Sequence, residues 1–202
     1  MPVTVPALEG APSQEEGCPR SCTTCAQLRQ ALLSELERRH PSSITAAALA
    51  AGAGLGEADL VDHYGSVDGC LVATYQALSD ELYALQVDAL ANGSGDWQSN
   101  FLDGVRAALD HLAAVPGAMV LFFADELRGH PHLRVRRAAA RQRVARLLAD
   151  HSGEDGDSLR SEFLLGALAH AAHSEAAARG MQPARVAARI GATLRLLEPR
   201  AA

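Results

Sequence analysis

The stretch LAAGAGLGEADLVDHYGSVDGCL, residues 49–71, contains two short apolar segments separated by glycines and followed by a longer one. Gly52 and Gly54 close the first segment, because glycine readily adopts the left-handed conformation that follows a helix end. A second helix begins after Gly56 and is broken at Gly65. Two short helices joined by a tight turn form a helix-turn-helix motif.

The residues at the start of each short helix support this interpretation. Thr45 is a favourable N-cap, and Ile44 before it can pack on Leu49 as a hydrophobic staple. The same staple recurs between Leu55 and Leu60 at the start of the second short helix. The sequence therefore predicts both helix starts as well as the glycines that end the helices.

Helical periodicity continues through the rest of the chain, with no convincing strand pattern. We predict an all-α protein with a three-helix head and a larger helical body. The assigned segments are a disordered tail with a cysteine cluster at 1–25, a helix-turn-helix head at 26–71 and a body at 72–202. The nine predicted helices are 26–39, one from Thr45, one from Gly56, one from Ser66 to about Leu90, 99–114, 117–128, 132–150, 158–178 and 184–198.

The composition is that of a globular protein built from small apolar residues. The chain has 202 residues, 48% hydrophobic and only 4% aromatic, with a net charge of -6. No apolar run approaches the roughly 20 residues that span a bilayer, and the N-terminus does not resemble a signal peptide. We expect a cytoplasmic protein without membrane contact.

The head resembles the TetR family of one-component transcriptional regulators. The matching residues follow the family pattern in order and without gaps: Thr45, Leu49-Ala50, Ala53-Gly54-Leu55, Leu60, His63-Tyr64, Ser66 and Asp68. The matching head is about a quarter of the chain, and the body matches only in the number and length of its helices. The resemblance implies a homodimer that binds palindromic operator DNA and is released by a small apolar ligand.

The resemblance also implies which residues contact DNA. They are Thr45, Gly56, Glu57, Ala58, Asp59, His63 and Tyr64. The chain departs from the family at three positions, where Gly56, Val61 and Val67 replace a serine, a tyrosine and a lysine. The tyrosine and lysine of the family typically contact phosphates, so these departures remove anchoring contacts.

The charge of the head also differs from that of a usual DNA reader. Residues 26–71 contain three arginines against six acidic residues, a balance of -3. A carboxylate near a phosphate is unfavourable unless it accepts a hydrogen bond from a cytosine amine. An alternative function therefore stays open, in which a TetR-like protein has lost DNA binding and acts through a ligand or a protein partner in a mixed dimer.

The middle helices carry most of the large apolar residues. The resemblance implies a pocket for a small, mostly apolar ligand here, whereas a plain hydrophobic core explains the same residues. The candidate pocket residues are Tyr75, Trp97, Phe101, His111, Met119, Phe122 and Phe123. No nucleophile–base pair, phosphate loop or paired carboxylates indicate catalysis, so we expect neither an enzyme nor a cofactor.

The last two helices are rich in alanine and glycine, which lets helix backbones approach closely. Such a pair can form half of a four-helix bundle across a two-fold axis, or it can close the core of the monomer. The candidate interface residues are Leu164, Leu168, Ala171, Val186, Ile190 and Leu194.

The segment CPRSCTTC places Cys18, Cys22 and Cys25 at spacings of four and three residues. Three thiolates with a fourth ligand can hold zinc or an iron–sulfur cluster, and two can form a redox disulfide. Three thiols without a joint role are the interpretation we favour, so no metal is assigned.

Overall fold

A computed structural model describes residues 22–115, 117–124, 127–152, 159–179, 185–186 and 188–192, with the side chains of 152, 159–162, 164 and 175–179 excepted. This part of the chain is helical and contains no β-strand, which confirms the all-α prediction. The helices are α1 (Thr23–Arg38), α2 (Ala46–Gly52), α3 (Glu57–Tyr64), α4 (Val67–Asn92), α5 (Trp97–Ala114), α6 (Ala118–Phe123), α7 (Pro131–Ser152) and α8 (Leu159–Arg179). A 3-10 turn spans Pro41–Ser43, and residues 185–186 and 188–192 are helical.

The head forms as its capping residues predict. The N–H of Ala48 donates to Thr45 Oγ1 over 3.2 Å, and the N–H of Gly69 donates to Ser66 Oγ over 3.0 Å. Gly54, between α2 and α3, has a φ of +69°, so the left-handed turn is present. These local interactions fix where α2, α3 and α4 begin, and they leave the packing to the apolar faces.

The apolar stripe of α1 is buried as its spacing predicts. Leu28 and Leu32 are fully buried, and Leu36 is 2% exposed. They belong to a first core cluster that also contains buried residues of α2, α3, α4, α5, α6 and α7. The predicted boundary after residue 71 falls inside α4, so one helix and one core cluster are shared by head and body.

The ordered head begins earlier than the sequence predicts. Cys22 is the N-cap of α1, and its sulfur accepts a hydrogen bond from the N–H of Cys25 over 3.4 Å. Cys25 is buried in the first turn. These two cysteines are therefore part of the helical head, whereas Cys18 lies outside the described residues.

The sixth helix is shorter than predicted. It was expected to span 117–128, but α6 ends at Phe123 and Ala124 is extended. The guanidinium of Arg137, on α7, donates to the carbonyl oxygens of Leu121 and Leu127 over 3.1 and 2.8 Å. This side chain from the following helix satisfies a carbonyl group of α6 and one in the turn after it, contacts that no local pattern reveals.

A second core cluster occupies the far end of the body. It includes Phe101, which is fully buried, together with residues of α4, α7, α8 and the C-terminal helical stretch. Ala171, Val186 and Ile190, expected at a dimer interface, are buried here at 4%, 0% and 1% exposure within the chain itself. The alternative interpretation, closure of the monomer core, accounts for these three side chains.

The other residues expected at the dimer interface are less informative. Leu168 is half-buried and packs against the second cluster. The side chain of Leu164 and the whole of Leu194 lie outside the described residues.

Candidate nucleic-acid interface

The outer face of α3 is formed by four exposed residues. Glu57, Ala58, Val61 and Asp62 are exposed, while Leu60 is fully buried against the first core cluster. Positions i, i+1, i+4 and i+5 lie on one side of an α-helix, so these four form a continuous surface. A helix that presents one surface and buries the other is the arrangement by which helix-turn-helix heads enter a major groove.

The carboxylate of Asp59 has a structural partner within α3. Its Oδ2 accepts a hydrogen bond from the N–H of Gly56 over 2.9 Å, which closes the N-terminus of the helix. Asp59 is half-buried, in contrast to the exposed Glu57 and Asp62. Asp59, one of the residues that the resemblance assigns to DNA, thus stabilises a helix start.

His63 and Tyr64 face α1. His63 Nδ1 lies 3.4 Å from the sulfur of Cys25 and 3.8 Å from that of Cys22. The hydroxyl of Tyr64 donates to the carbonyl oxygen of Cys25 over 3.1 Å. Burial, followed by the hydrogen bond to Cys25, raises the pKa of Tyr64, so the hydroxyl stays a donor at neutral pH. Both side chains are half-buried and connect the end of α3 to the start of α1.

The sequence pattern alone does not relate these cysteines to His63. It places the cysteines in a group on the tail and His63 among the expected DNA contacts. The signal that relates them is the pairing of a Cys-x-x-Cys at one helix start with a histidine at another helix end. Only the packing of α1 against α3 shows that the cysteines and His63 lie side by side.

The basic residues at the end of α1 are engaged with an acid. Arg39 Nε lies 2.7 Å from Glu35, and Arg38 lies 3.4 Å from it. Asp68, at the start of α4, pairs with His130. Along α3, which is described in full, the exposed face carries two carboxylates and no basic side chain. The field at this surface is therefore unfavourable for phosphates unless the acids bind base edges.

The residues predicted to line a ligand pocket divide between the two core clusters. Tyr75 and Phe122 pack in the first cluster with ring centroids 4.7 Å apart. Met119 packs against the same cluster, Trp97 and Phe101 belong to the second, and Phe123 contacts both. His111 lies apart from both, with its Nε2 3.0 Å from the carboxylate of exposed Glu81.

Two clefts among the described residues lie beside α1 instead. One of about 370 Å³ runs between α1 and the end of α2, and includes Gln27, Ser34 and Gly52. The other, of about 380 Å³, lies between α1 and α4 and reaches Val115. None of the seven predicted pocket residues lines either cleft. The predicted pocket stays a prediction.

Three helices in a compact head, a long fourth helix and a helical body define the fold of TetR-family transcriptional regulators. A protein from Pseudomonas aeruginosa PAO1 that is described as a transcriptional regulator superposes with a TM-score of 0.66 at 19% identity, over 86% of this chain and 89% of that chain. A TetR-family regulator from Streptomyces coelicolor gives 0.67 at 17% identity, over 86% and 79%. The fatty acid degradation regulator FadR from Bacillus halodurans gives 0.70 at 12% identity, over 91% and 100%.

These likenesses show the fold. No family model matches the sequence, and no curated protein matches it. Within the described ranges, no helix combines the length and apolar character needed to cross a membrane.

Proposed function

We propose that this protein is a TetR-like transcriptional regulator that binds palindromic operator DNA as a homodimer and is released by a small apolar ligand. The observation that supports the proposal is the helix-turn-helix head. Its α3 is capped at the start, packed through Leu60 and exposed along Glu57, Ala58, Val61 and Asp62. A helix held in this way needs little further ordering to enter a major groove.

The chemistry of the exposed face suggests how it reads DNA. Glu57, in the first turn of α3, is placed to accept a hydrogen bond from a cytosine amine. Thr45 is exposed at the start of α2, and we expect it to lie near a phosphate of the bound DNA. Few positive charges face the DNA, so counterion release contributes less than in most regulators. We expect affinity to depend weakly on salt concentration.

The proposed coupling between ligand and DNA passes through α1. Its carbonyl group at Leu33 lies against Gly117, at the start of α6, and its apolar face shares the first core cluster with α6 and α7. A ligand that favours another arrangement of α6 would shift α1. The shift of α1 would change the distance between the two α3 helices of the dimer.

The proposed dimer uses α8. Phe163 on this helix is 56% exposed, which is unusual for so large an apolar side chain. We expect the wild-type chain to elute as a dimer in size-exclusion chromatography and Phe163→Glu to shift it towards the monomer. Val135 is also exposed, on α7, and the variant Val135→Glu serves as a control for the added charge. Equal elution of wild type and Phe163→Glu would exclude α8 as the interface.

The test of DNA binding is selection from a randomised duplex library at low salt, followed by sequencing of the retained DNA. We expect an enriched palindrome with a cytosine opposite Glu57. Glu57→Gln should relax the preference at that position, by about 1–3 kcal/mol of discrimination. Glu37→Gln, an exposed acid on α1, controls for the charge. A folded dimer that enriches no sequence would refute DNA reading.

A second candidate function rests on the acidity of α3. Two exposed carboxylates, without a basic side chain on the exposed face of α3, favour a TetR-fold protein that has lost DNA binding. Such a protein would act by binding a ligand or by pairing with a more basic relative. Affinity capture from the native cell extract would then recover a partner chain. Recovery of the protein alone, together with tight sequence-specific DNA binding, would eliminate this candidate.

A further inference from the structure

A group of two thiols and one imidazole lies where α1 meets α3. Cys22 caps α1, Cys25 is buried in its first turn, and His63 lies in the last turn of α3. One ligand atom from each residue lies within 4.8 Å of the other two. The group joins two helices that are about forty residues apart in the chain, so the fold rather than the local sequence assembles it.

The spacing of the three atoms corresponds to a tetrahedral metal site. With Zn–S near 2.3 Å and Zn–N near 2.0–2.1 Å, ligands at tetrahedral angles lie about 3.6 Å apart for sulfur and nitrogen. The two sulfur–nitrogen distances here are 3.4 and 3.8 Å. Each of these is within about 0.2 Å of the tetrahedral value, and the two sulfurs lie within 4.8 Å of one another, so an approach of the two sulfurs lets one ion contact all three atoms.

The donor types select the metal. Thiolate sulfur and imidazole nitrogen are the usual ligands of zinc, whereas calcium and magnesium prefer oxygen. The start of α1 carries the positive end of its helix dipole, which favours the anionic sulfur that a metal requires. A ligand set of two thiolates and one neutral imidazole also balances the charge of Zn²⁺, which suits a half-buried position.

We propose that Cys22, Cys25 and His63 bind Zn²⁺. A disulfide would join the two cysteines and leave the imidazole out, whereas a bound metal would use all three donors. Three protein ligands leave one tetrahedral position for water or another donor. The site needs no DNA and no effector, so it stands independently of the proposed regulatory function.

The consequence of the site is mechanical. His63 precedes Tyr64, whose hydroxyl already bonds to the carbonyl of Cys25. A metal bound beside that hydrogen bond fixes the end of α3 to the start of α1 through coordinate bonds. Zinc therefore sets the orientation of the helix whose outer face carries Glu57 and Asp62.

The test uses the reduced full-length chain, stripped of metal by a chelator and titrated with Zn²⁺ against a chromophoric competitor. We expect one Zn²⁺ per chain, released protons from the thiols and, with Co²⁺ as a substitute, an absorption band from thiolate-to-cobalt charge transfer. Zinc should also slow amide hydrogen exchange in α3. This exchange readout requires no DNA.

Variants identify the ligands. His63→Gln and Cys22→Ser should weaken zinc binding by about 100-fold or more, since even an outer-sphere partner contributes 10–100-fold. His132→Gln, an exposed histidine on α7, and Cys70→Ala, a buried cysteine outside the group, should bind as wild type does. Circular dichroism checks that each variant is folded.

Two outcomes would overturn the proposal. The first is a folded wild-type chain that binds no zinc after reduction, a measurement that depends on no variant. The second is unchanged affinity in a folded His63→Gln, which would leave zinc to the cysteines alone. Because both are measured without DNA, neither outcome bears on operator binding.

Discussion

Replacing Gly117 by alanine tests the contact between α1 and the body. Gly117 has a φ of +70°, and an added Cβ would lie 1.9 Å from the carbonyl oxygen of Leu33. Such contacts are essentially never shorter than 3.0 Å, so α1 would have to move by at least 1.1 Å, the difference between these two values. The left-handed backbone costs about 1–2 kcal/mol for a residue with a Cβ. Overpacking adds about 1–3 kcal/mol.

Two other glycines separate these effects. Gly54 has a φ of +69° but open space around its Cβ position, so Gly54→Ala should cost only the backbone term of about 1–2 kcal/mol. Gly129 has open space and no positive φ, so Gly129→Ala should lie within about 0.5 kcal/mol of wild type. Gly117→Ala should cost about 2–5 kcal/mol, the sum of both terms.

The assay is urea unfolding followed by circular dichroism, with all four proteins at one concentration, because self-association would otherwise contribute to the apparent stability. The order of stability should be wild type and Gly129→Ala, then Gly54→Ala, then Gly117→Ala. Equal losses for Gly117→Ala and Gly54→Ala would refute the reasoning, since they would show that α1 does not pack against the start of α6.

Three further predictions concern single side chains. The carboxylate of Asp96 accepts hydrogen bonds from Ser99, which lower its pKa below the ordinary 3.8. The ionised carboxylate therefore stabilises the fold above pH 3.8, and this stabilisation is lost as the pH falls through the lower pKa of the folded state. In thermal melts at successive pH values, Asp96→Asn should show a smaller loss of stability at acid pH than the wild type. Burial raises the pKa of Cys70 to about 12, so the thiol stays protonated and unreactive in the folded protein. After treatment with an alkylating reagent at about pH 8, mass spectrometry should find Cys70 unmodified in the folded protein and modified in urea. Arg137→Met leaves the carbonyls at the end of α6 unpaired and should cost about 1.5–3 kcal/mol in urea unfolding; a loss below 0.5 kcal/mol would contradict this role.

The parts of the fold that the sequence predicts are those fixed by local interactions. Thr45 and Ser66 cap helices because a hydroxyl accepts a hydrogen bond from an N–H three residues on, and this depends on nothing distant. The stripe of Leu28, Leu32 and Leu36 is buried because helical spacing places all three on one face. Elements, caps and the all-α class follow from such patterns.

The parts that the sequence does not predict depend on which helices meet. Arg137 is recognisable only as one arginine among several on α7, yet its guanidinium donates to the carbonyl oxygens of Leu121 in α6 and of Leu127 beyond it. Val186 and Ile190 form an apolar stripe that fits a dimer interface and a monomer core equally well, and burial within the chain distinguishes the two. The proximity of His63 to the sulfur of Cys25 follows only from the packing of α3 against α1, and the expected contact of His63 with DNA stays a prediction.

For the candidate interface, the sequence predicts the helix α3 but not the direction of its side chains. Glu57 and Ala58 are exposed as expected of residues near DNA, whereas Asp59 closes the helix start. The capping role follows from its position three residues after Gly56, a spacing that sequence inspection can use. Whether these residues contact DNA stays a prediction.

The core cluster shared by α1 and α7 has a practical consequence for engineering. A fragment ending at residue 71 would lack Leu121 and Leu133, which belong to the same core cluster as Leu28 and Leu32, and would cut α4 near its start. The head is therefore not an independent unit that can be grafted onto another protein of this fold. A chimera that changes the exposed surface of α3 must exchange the outer residues of this helix alone and keep every side chain that the body covers.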